Sequence, residues 1–237
     1  MTLDDAAASL DSISVAEAVG RTLALLGAGH TFGVVGSGNF EVTNALRAAG
    51  VPFTATRHEA GAATAADAYA RLSGKVGLVS VHQGCGLTNA MTGIGEAAKS
   101  RTPIIVLAAE TAGASVTSNF AIDQPALAAS VGARSERVHS AASAVHDTVR
   151  AFRTARGGRR TVVLNLPLDV QRERVPASVL EHITMPPMTV AVRPGAAAVA
   201  ALADQLVSAQ RPVIVAGRGA RGAGPALRTL AEKAGGL

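Results

Sequence analysis

Short apolar runs alternate in this chain with segments rich in alanine and with helical spacing. The candidate strands are Thr31–Val35, Pro52–Thr56, Val76–His82, Ile104–Ala109, a short one around Arg137–His139, and Thr161–Leu166. A strand that is apolar along its whole length must be covered on both faces, because a half-exposed strand alternates. The intervening segments, Phe40–Ala49, Glu59–Leu72, Thr88–Ser100, Gln124–Ser130 and Ala144–Arg156, supply that cover. A further helix is predicted from Ser14, with Ser14 and Glu17 spaced as a capping box. Val15, Val19, Leu23 and Leu26 lie on its apolar face, and Gly27 and Gly29 end it. This pattern constrains the fold to α/β: a doubly wound, mostly parallel six-stranded sheet with helices on both faces.

The core has to be small-grained. Hydrophobic residues make up 48% of the 237, but aromatics only 3%, with Tyr69 the single tyrosine and no tryptophan. The net charge of +5 raises the question of nucleic acid. Arg150, Arg153 and Arg156 recur every three residues and form one stripe near a helix C-terminus, where cations offset the dipole. No aromatic residues interleave with them to stack on bases. A solvated face or a contact with acidic protein is the expectation, and nucleic acid is not. One cysteine, Cys85, excludes an internal disulfide framework. The longest apolar run, Ile104–Ala109, is too short to cross a membrane. The acidic start MTLDDAAASLD lacks the features of a secretory signal, so a cytoplasmic location is expected.

Ligands of doubly wound sheets bind outside the carboxyl ends of the strands. Three unusual segments fall there. Gly36-Ser37-Gly38-Asn39 follows the first strand, Arg57-His58-Glu59 the second, and His82-Gln83-Gly84-Cys85-Gly86 the third. Glu59 is the most informative residue. It opens a helix whose next residues are almost all Ala or Gly, so the sequence leaves its carboxylate little polar company. A desolvated carboxylate at such a place is a candidate functional group. The bland alternative is an acid stabilised by the helix dipole.

The stretch RHEAGAATAADAYARLSGK (Arg57–Lys75), flanked by FGVVGSGN and LVSVHQGCGLTNAMTG, resembles the N-terminal pyrimidine-binding domain of thiamine-diphosphate enzymes of the acetolactate synthase and 2-oxo-acid decarboxylase superfamily. The likeness runs from about Ser14 to about Asp169. It implies that Glu59 hydrogen-bonds N1′ of the cofactor's aminopyrimidine, driving the ring to the imino form that removes the thiazolium C2 proton. It implies further that Val35, Gly36, His82 and Asn89 line the cofactor. His82 stands where benzoylformate decarboxylase has a proton-transferring histidine, and Ser37 where that enzyme has a substrate-contacting serine. Gln124, after SNFAID, is a weaker substrate-side position, with capping of the following helix by Asp123 as its alternative. Ser37 or Asn39 as a helix N-cap, and His82 bonded to loop backbone, are the corresponding alternatives there. Cys85 replaces the family's usual proline and reads as a small packed residue.

The resemblance also implies partners. The family holds the cofactor's diphosphate through Mg²⁺ at a G-D-G motif and a later asparagine, and no GDG occurs in this sequence. The ligands of Mg²⁺ are therefore expected on another chain or domain, through a homo-oligomer or a chain carrying the diphosphate-binding half, and residues 1–237 alone are expected to be inactive. The substrate would be a 2-oxo acid. Residues 1–170 read as the pyrimidine-binding domain, the proline-bearing 171–194 as a linker, and 195–237 as the start of a Rossmann-like domain that in acetolactate synthases binds FAD. A helix at Ala196–Ser208, a strand at Pro212–Ala216 and a last helix reaching Ala234 are predicted there. Gly217–Gly222, GRGARG, matches the dinucleotide fingerprint literally, but the acid expected about twenty residues on would fall at or beyond residue 237, and a helix and a linker precede the motif. Three readings stay open: an acetolactate synthase-like or benzoylformate-type enzyme portion, a dinucleotide-binding protein, and a non-catalytic, truncated interaction module.

Overall fold

The structure, a computed structural model, describes residues 12–183 and 192–236. The chain divides into two compact units, Met1–Met188 and Thr189–Leu237. In the first unit the elements run β1 (Ser12–Ser14), α1 (Val15–Leu25), β2 (His30–Gly33), a 3₁₀ turn (Ser37–Asn39), α2 (Phe40–Ala48), β3 (Phe53–Ala55), α3 (Glu59–Ser73), β4 (Gly77–Val81) and α4 (Cys85–Lys99). They continue with β5 (Ile104–Glu110), α5 (Gln124–Ser130), β6 (Arg134–Arg137), α6 (Ala144–Arg156), β7 (Val162–Pro167), α7 (Leu168–Arg172) and β8 (Arg174–Pro176).

The main sheet has the order β3-β2-β4-β5-β7-β6, and every pairing in it is parallel. Strand side chains alternate between two helical layers. Leu78, Ile105, Leu107 and Leu164 pack with α1, α2 and α6 residues such as Leu23, Leu46 and Phe152. Val79, Val106, Ala108 and Val163 pack on the other side with Ala62, Ala66, Leu87 and Ile94 of α3 and α4. The expected doubly wound α/β architecture is the observed one. Because the chain leaves β2 toward β3 but leaves β4 toward β5, the order reverses between β2 and β4. The loops beyond these two strands diverge there, and this is where such a sheet opens a crevice.

Differences from the sequence reading are local. The short strand expected at Arg137–His139 lies earlier, at Arg134–Arg137, because it pairs in register with Val162–Asn165. The capping box is half formed: Ser14 Oγ accepts from the Glu17 amide at 3.1 Å. The Glu17 carboxylate turns instead to Arg21 at 3.3 Å, while Ser14's own backbone belongs to the β1–β8 pair. The segment read as a linker is structured in its first part. Ser12–Ser14 pairs antiparallel with Arg174–Pro176, and Val175 and Leu180 are buried. Pro167 starts α7 and Pro176 ends an isolated two-stranded ladder, positions where a missing N–H costs little. Pro186 and Pro187 of that stretch, and the acidic N-terminal residues, lie outside the described residues. Arg150 is not a free member of the arginine stripe; it pairs with Glu136 at 2.8 Å and Asp147 at 2.7 Å.

In the second unit, α8 (Ala196–Ser208) and α9 (Gly224–Ala234) are as expected in kind, with a 3₁₀ turn at Arg218–Ala220. The strand expected at Pro212–Ala216 joins no ladder. A lone extended segment has no neighbour to take its backbone groups. GRGARG after it runs into the 3₁₀ turn at Arg218–Ala220.

Candidate functional site

The expected residues converge at the carboxyl ends of β2, β3 and β4. The turn after β2 brings Gly36 against His82: a Cβ at Gly36 would meet the ring Cδ2 at 3.2 Å and the His82 Cβ at 3.3 Å. Gly86, on the first turn of α4, would with a Cβ meet His82 Cβ at 3.0 Å and Glu59 Oε1 at 3.4 Å. Glu59 is the first residue of α3, and His58 caps that helix by accepting the Ala60 amide on Nδ1 at 3.1 Å. Asn89, one turn into α4, donates its Nδ2 to Glu59 Oε2 at 3.1 Å. Gly36, His82, Gly86, Glu59 and Asn89 thus form one continuous wall, drawn from three loops that sequence separates widely.

Glu59 departs from the expectation in one respect. It is half-buried rather than desolvated, and Asn89 supplies a polar partner. Its other oxygen, Oε1, accepts no hydrogen bond among the described residues and lies 3.4 Å from where a Cβ of Gly86 would stand.

His82 has one ring nitrogen committed. Nδ1 lies 3.1 Å from the Gln83 carbonyl oxygen, which only accepts, so Nδ1 carries the proton in the neutral ring. Nε2 then presents its lone pair, the arrangement a proton-accepting histidine requires. Phe120 packs edge-on against the ring, with centroids 5.0 Å apart at 67°. A bond to loop backbone and a place on the wall are therefore compatible in His82.

Val35 and Ser37 stand exposed on the rim beside Gly36. Neither Ser37 nor Asn39 caps a helix with its side chain. Asn39 is buried and ties the turn to the sheet, its Nδ2 donating to the Val81 and Leu107 carbonyls at 2.8 Å each. Gln124 does not line the open side. It is 1% exposed, accepts the Gly84 amide on Oε1 at 3.2 Å, and donates Nε2 to Asn165 Oδ1 at 2.8 Å. The helix-capping role falls to Asp123, which accepts the Ala126 amide at 2.9 Å. Cys85 is exposed at the first position of α4 rather than packed. Gly86 and Phe120 were not singled out from the sequence. Asn165 left one signal, a polar residue within the apolar run Val162–Leu166.

A groove of about 830 Å³ lies elsewhere, between α1 and α2, lined by Glu17, Arg21, Glu41 and Asn44, and shares no residue with this wall. Among the described residues no group of three or more His, Cys, Asp or Glu is placed to hold a metal ion. Nor is any helix there long and apolar enough to cross a membrane.

Comparison with known proteins identifies a family. Residues 13–129 match the family described as thiamine pyrophosphate enzyme, N-terminal TPP binding domain. A probable 2-ketoarginine decarboxylase of Pseudomonas aeruginosa is 34% identical over 94% of this chain and 40% of its own length. The acetolactate synthase large subunit of Parasynechococcus marenigrum is 32% identical over 94% of the chain and 38% of its own. A sulfoacetaldehyde acetyltransferase of Castellaniella defragrans is 28% identical over 89% and 35%. The chain thus spans about two fifths or less of the length of these curated relatives. Sequence and fold together place it in the acetolactate synthase-like superfamily, as a chain bearing the N-terminal TPP binding domain of the thiamine pyrophosphate enzymes.

Proposed function

We propose that this chain supplies the pyrimidine half-site of a thiamine-diphosphate enzyme that makes or breaks a carbon–carbon bond beside the carbonyl of a 2-oxo acid. The observation that carries the reading is the Glu59–Asn89 pair beside His82, with Glu59 Oε1 unpaired among the described residues. The fit is chemical. An aminopyrimidine needs one carboxyl group at N1′, and Glu59 has an oxygen with no other partner among the described residues. Asn89 restrains Oε2, so that Oε1 is aimed rather than free to rotate. Gly36 and Gly86, lacking Cβ atoms, let both turns come close to His82 and, at Gly86, to Glu59.

Thiamine diphosphate, when bound, supplies the carbon nucleophile and the electron sink that this chemistry needs, and the protein supplies placement and electrostatics. Glu59 holds the proton shared with N1′. Val35 and Gly36 offer backbone and an apolar edge to the ring. His82 Nε2 accepts or returns a proton on the substrate side, with Ser37 on the neighbouring rim. The Mg²⁺–diphosphate half belongs, in this reading, to a second copy or another chain. Decarboxylation is favoured over ligation by His82 and Ser37, and by the name of the 2-ketoarginine decarboxylase relative.

The test is binding of the ring alone, which needs neither metal nor partner. Thiamine without its diphosphate, titrated to roughly ten times a Kd of about 1 mM (near −4 kcal/mol), is expected to shift the Asn89 side-chain amide resonance. Glu59→Gln is expected to lose most of that shift. No shift in the folded wild-type chain at that concentration refutes the reading.

A further inference from the structure

The turn that carries His82 hangs from a chain of side-chain amides. Gly84 N–H donates to Gln124 Oε1 at 3.2 Å, Gln124 Nε2 to Asn165 Oδ1 at 2.8 Å, and Asn165 Nδ2 to the Glu136 carbonyl and Ser135 Oγ at 2.9 Å each. Every link runs in the same sense, donor toward β6, so the amide dipoles align and reinforce one another. Gln124 and Asn165 are each 1% exposed, and each keeps both ends of its amide occupied. The tether supplies the partner of the Gly84 amide. The backbone there sits at φ +64°, ψ −106°, the mirror image of an extended conformation, which glycine adopts and other residues rarely do, and its carbonyl accepts the Thr88 amide at 3.1 Å. From this one residue the chain leads back to His82 and forward to Gly86 and Asn89.

We infer that Gln124 and Asn165 are positioning residues for the site: an amide relay from the sheet's β6 edge that fixes the His82–Asn89 segment. The inference rests on reading that segment as the cofactor wall, but the relay itself is visible without any ligand. It touches neither the ring space nor Glu59. Its effect passes through Gly84, whose position sets where the His82 ring and the start of α4 point.

The test uses amide hydrogen exchange on the whole chain, followed residue by residue by NMR. Gln124→Leu and Asn165→Leu are each expected to speed exchange at Gly84 at least tenfold beyond any change at Leu78 and Val106, which report the sheet. They are also expected to shift the His82 ring resonances. Combined, the two substitutions are expected to do little more than one. Gln124→Glu separates positioning from packing and stands in if the leucine variants do not fold. Protonated, the introduced carboxyl group accepts from Gly84 and donates to Asn165 as the native amide does; ionised, it loses the second link. In this variant Gly84 stays protected, while the Asn165 side-chain amide resonances are expected near wild type at acid pH and displaced as pH rises. Leucine variants that loosen Gly84 only in step with the sheet, or a Gln124→Glu variant whose Asn165 resonances do not respond to pH, overturn the inference. A wild-type chain that binds no thiamine yet passes these tests refutes the half-site and leaves the relay standing.

Discussion

Gly84→Ala is the substitution on which the local argument is most exposed. Two costs add. A Cβ at φ +64° and ψ −106° carries a backbone penalty of about 1–3 kcal/mol. The same Cβ would stand 2.6 Å from the Phe120 carbonyl oxygen and 3.2 Å from its carbon, a clash with backbone rather than with a flexible side chain. Overpacking of that kind costs about 1–3 kcal/mol. Phe120 lies in an exposed loop, so part of the clash is relieved by the loop moving, at the expense of its edge contact with His82. The net expectation is about 3 kcal/mol. In urea, with a slope of about 2 kcal/mol per molar, the midpoint falls by about 1.5 M. Gly61→Ala is the internal control. It sits in α3 with nothing within 4 Å of the added methyl, and gains about 0.5–1 kcal/mol from helix propensity. Urea unfolding followed by circular dichroism reads both. A Gly84→Ala midpoint equal to wild type, with the His82 resonances unmoved, refutes the account of this turn.

Three other predictions concern stability and pH. Asp147 is 4% exposed and accepts from the His139 amide, the His139 ring, Ser143 Oγ and Arg150. Burial alone would raise its carboxyl, but these bonds hold it below the ordinary 3.8. Its contribution is therefore present above that value and lost as pH falls through the depressed folded value. Asp147→Ala is expected to cost about 2 kcal/mol at pH 7 and less in acid, measured by urea unfolding across pH. Glu110 behaves oppositely: burial raises its carboxyl, Arg137 opposes this and Asp169 adds to it. The stability it gives is full below the ordinary 4.5 and is lost as pH rises through the raised value. Glu110→Gln is thus expected to gain on wild type between pH 4 and 7, and a constant difference over that range refutes this. Asn39→Leu leaves the Val81 and Leu107 carbonyls without their bridge and is expected to cost about 2–3 kcal/mol in thermal or urea unfolding.

Much of the site was legible because its residues announce themselves chemically. Glu59 stands out against alanine and glycine, and the glycines of GSGN and HQGCG interrupt runs that otherwise build core. The helix ends at Gln124, Ser130, Ala144 and Arg156 follow from periodicity and caps, which are properties of consecutive residues. Gln124 departs from its expected substrate-side place for a physical reason. A buried glutamine with both amide ends satisfied and one facing a substrate look identical in sequence. What separates them is Gly84 and Asn165, each about 40 residues away. Pro212–Ala216 failed in the same way. Its composition is that of a strand, but strand formation depends on a neighbour that propensity does not supply.

The sequence by itself determined the doubly wound sheet and the three loops at its carboxyl edge, because continuous apolar runs alternating with helices have few ways to bury themselves. Only the tertiary structure decided how those loops meet. The pairing of β2 with β4 sets Gly36 against His82, Gly86 beside Glu59, and Asn89 on its carboxylate, since strand order is fixed by long-range pairing that no local pattern encodes.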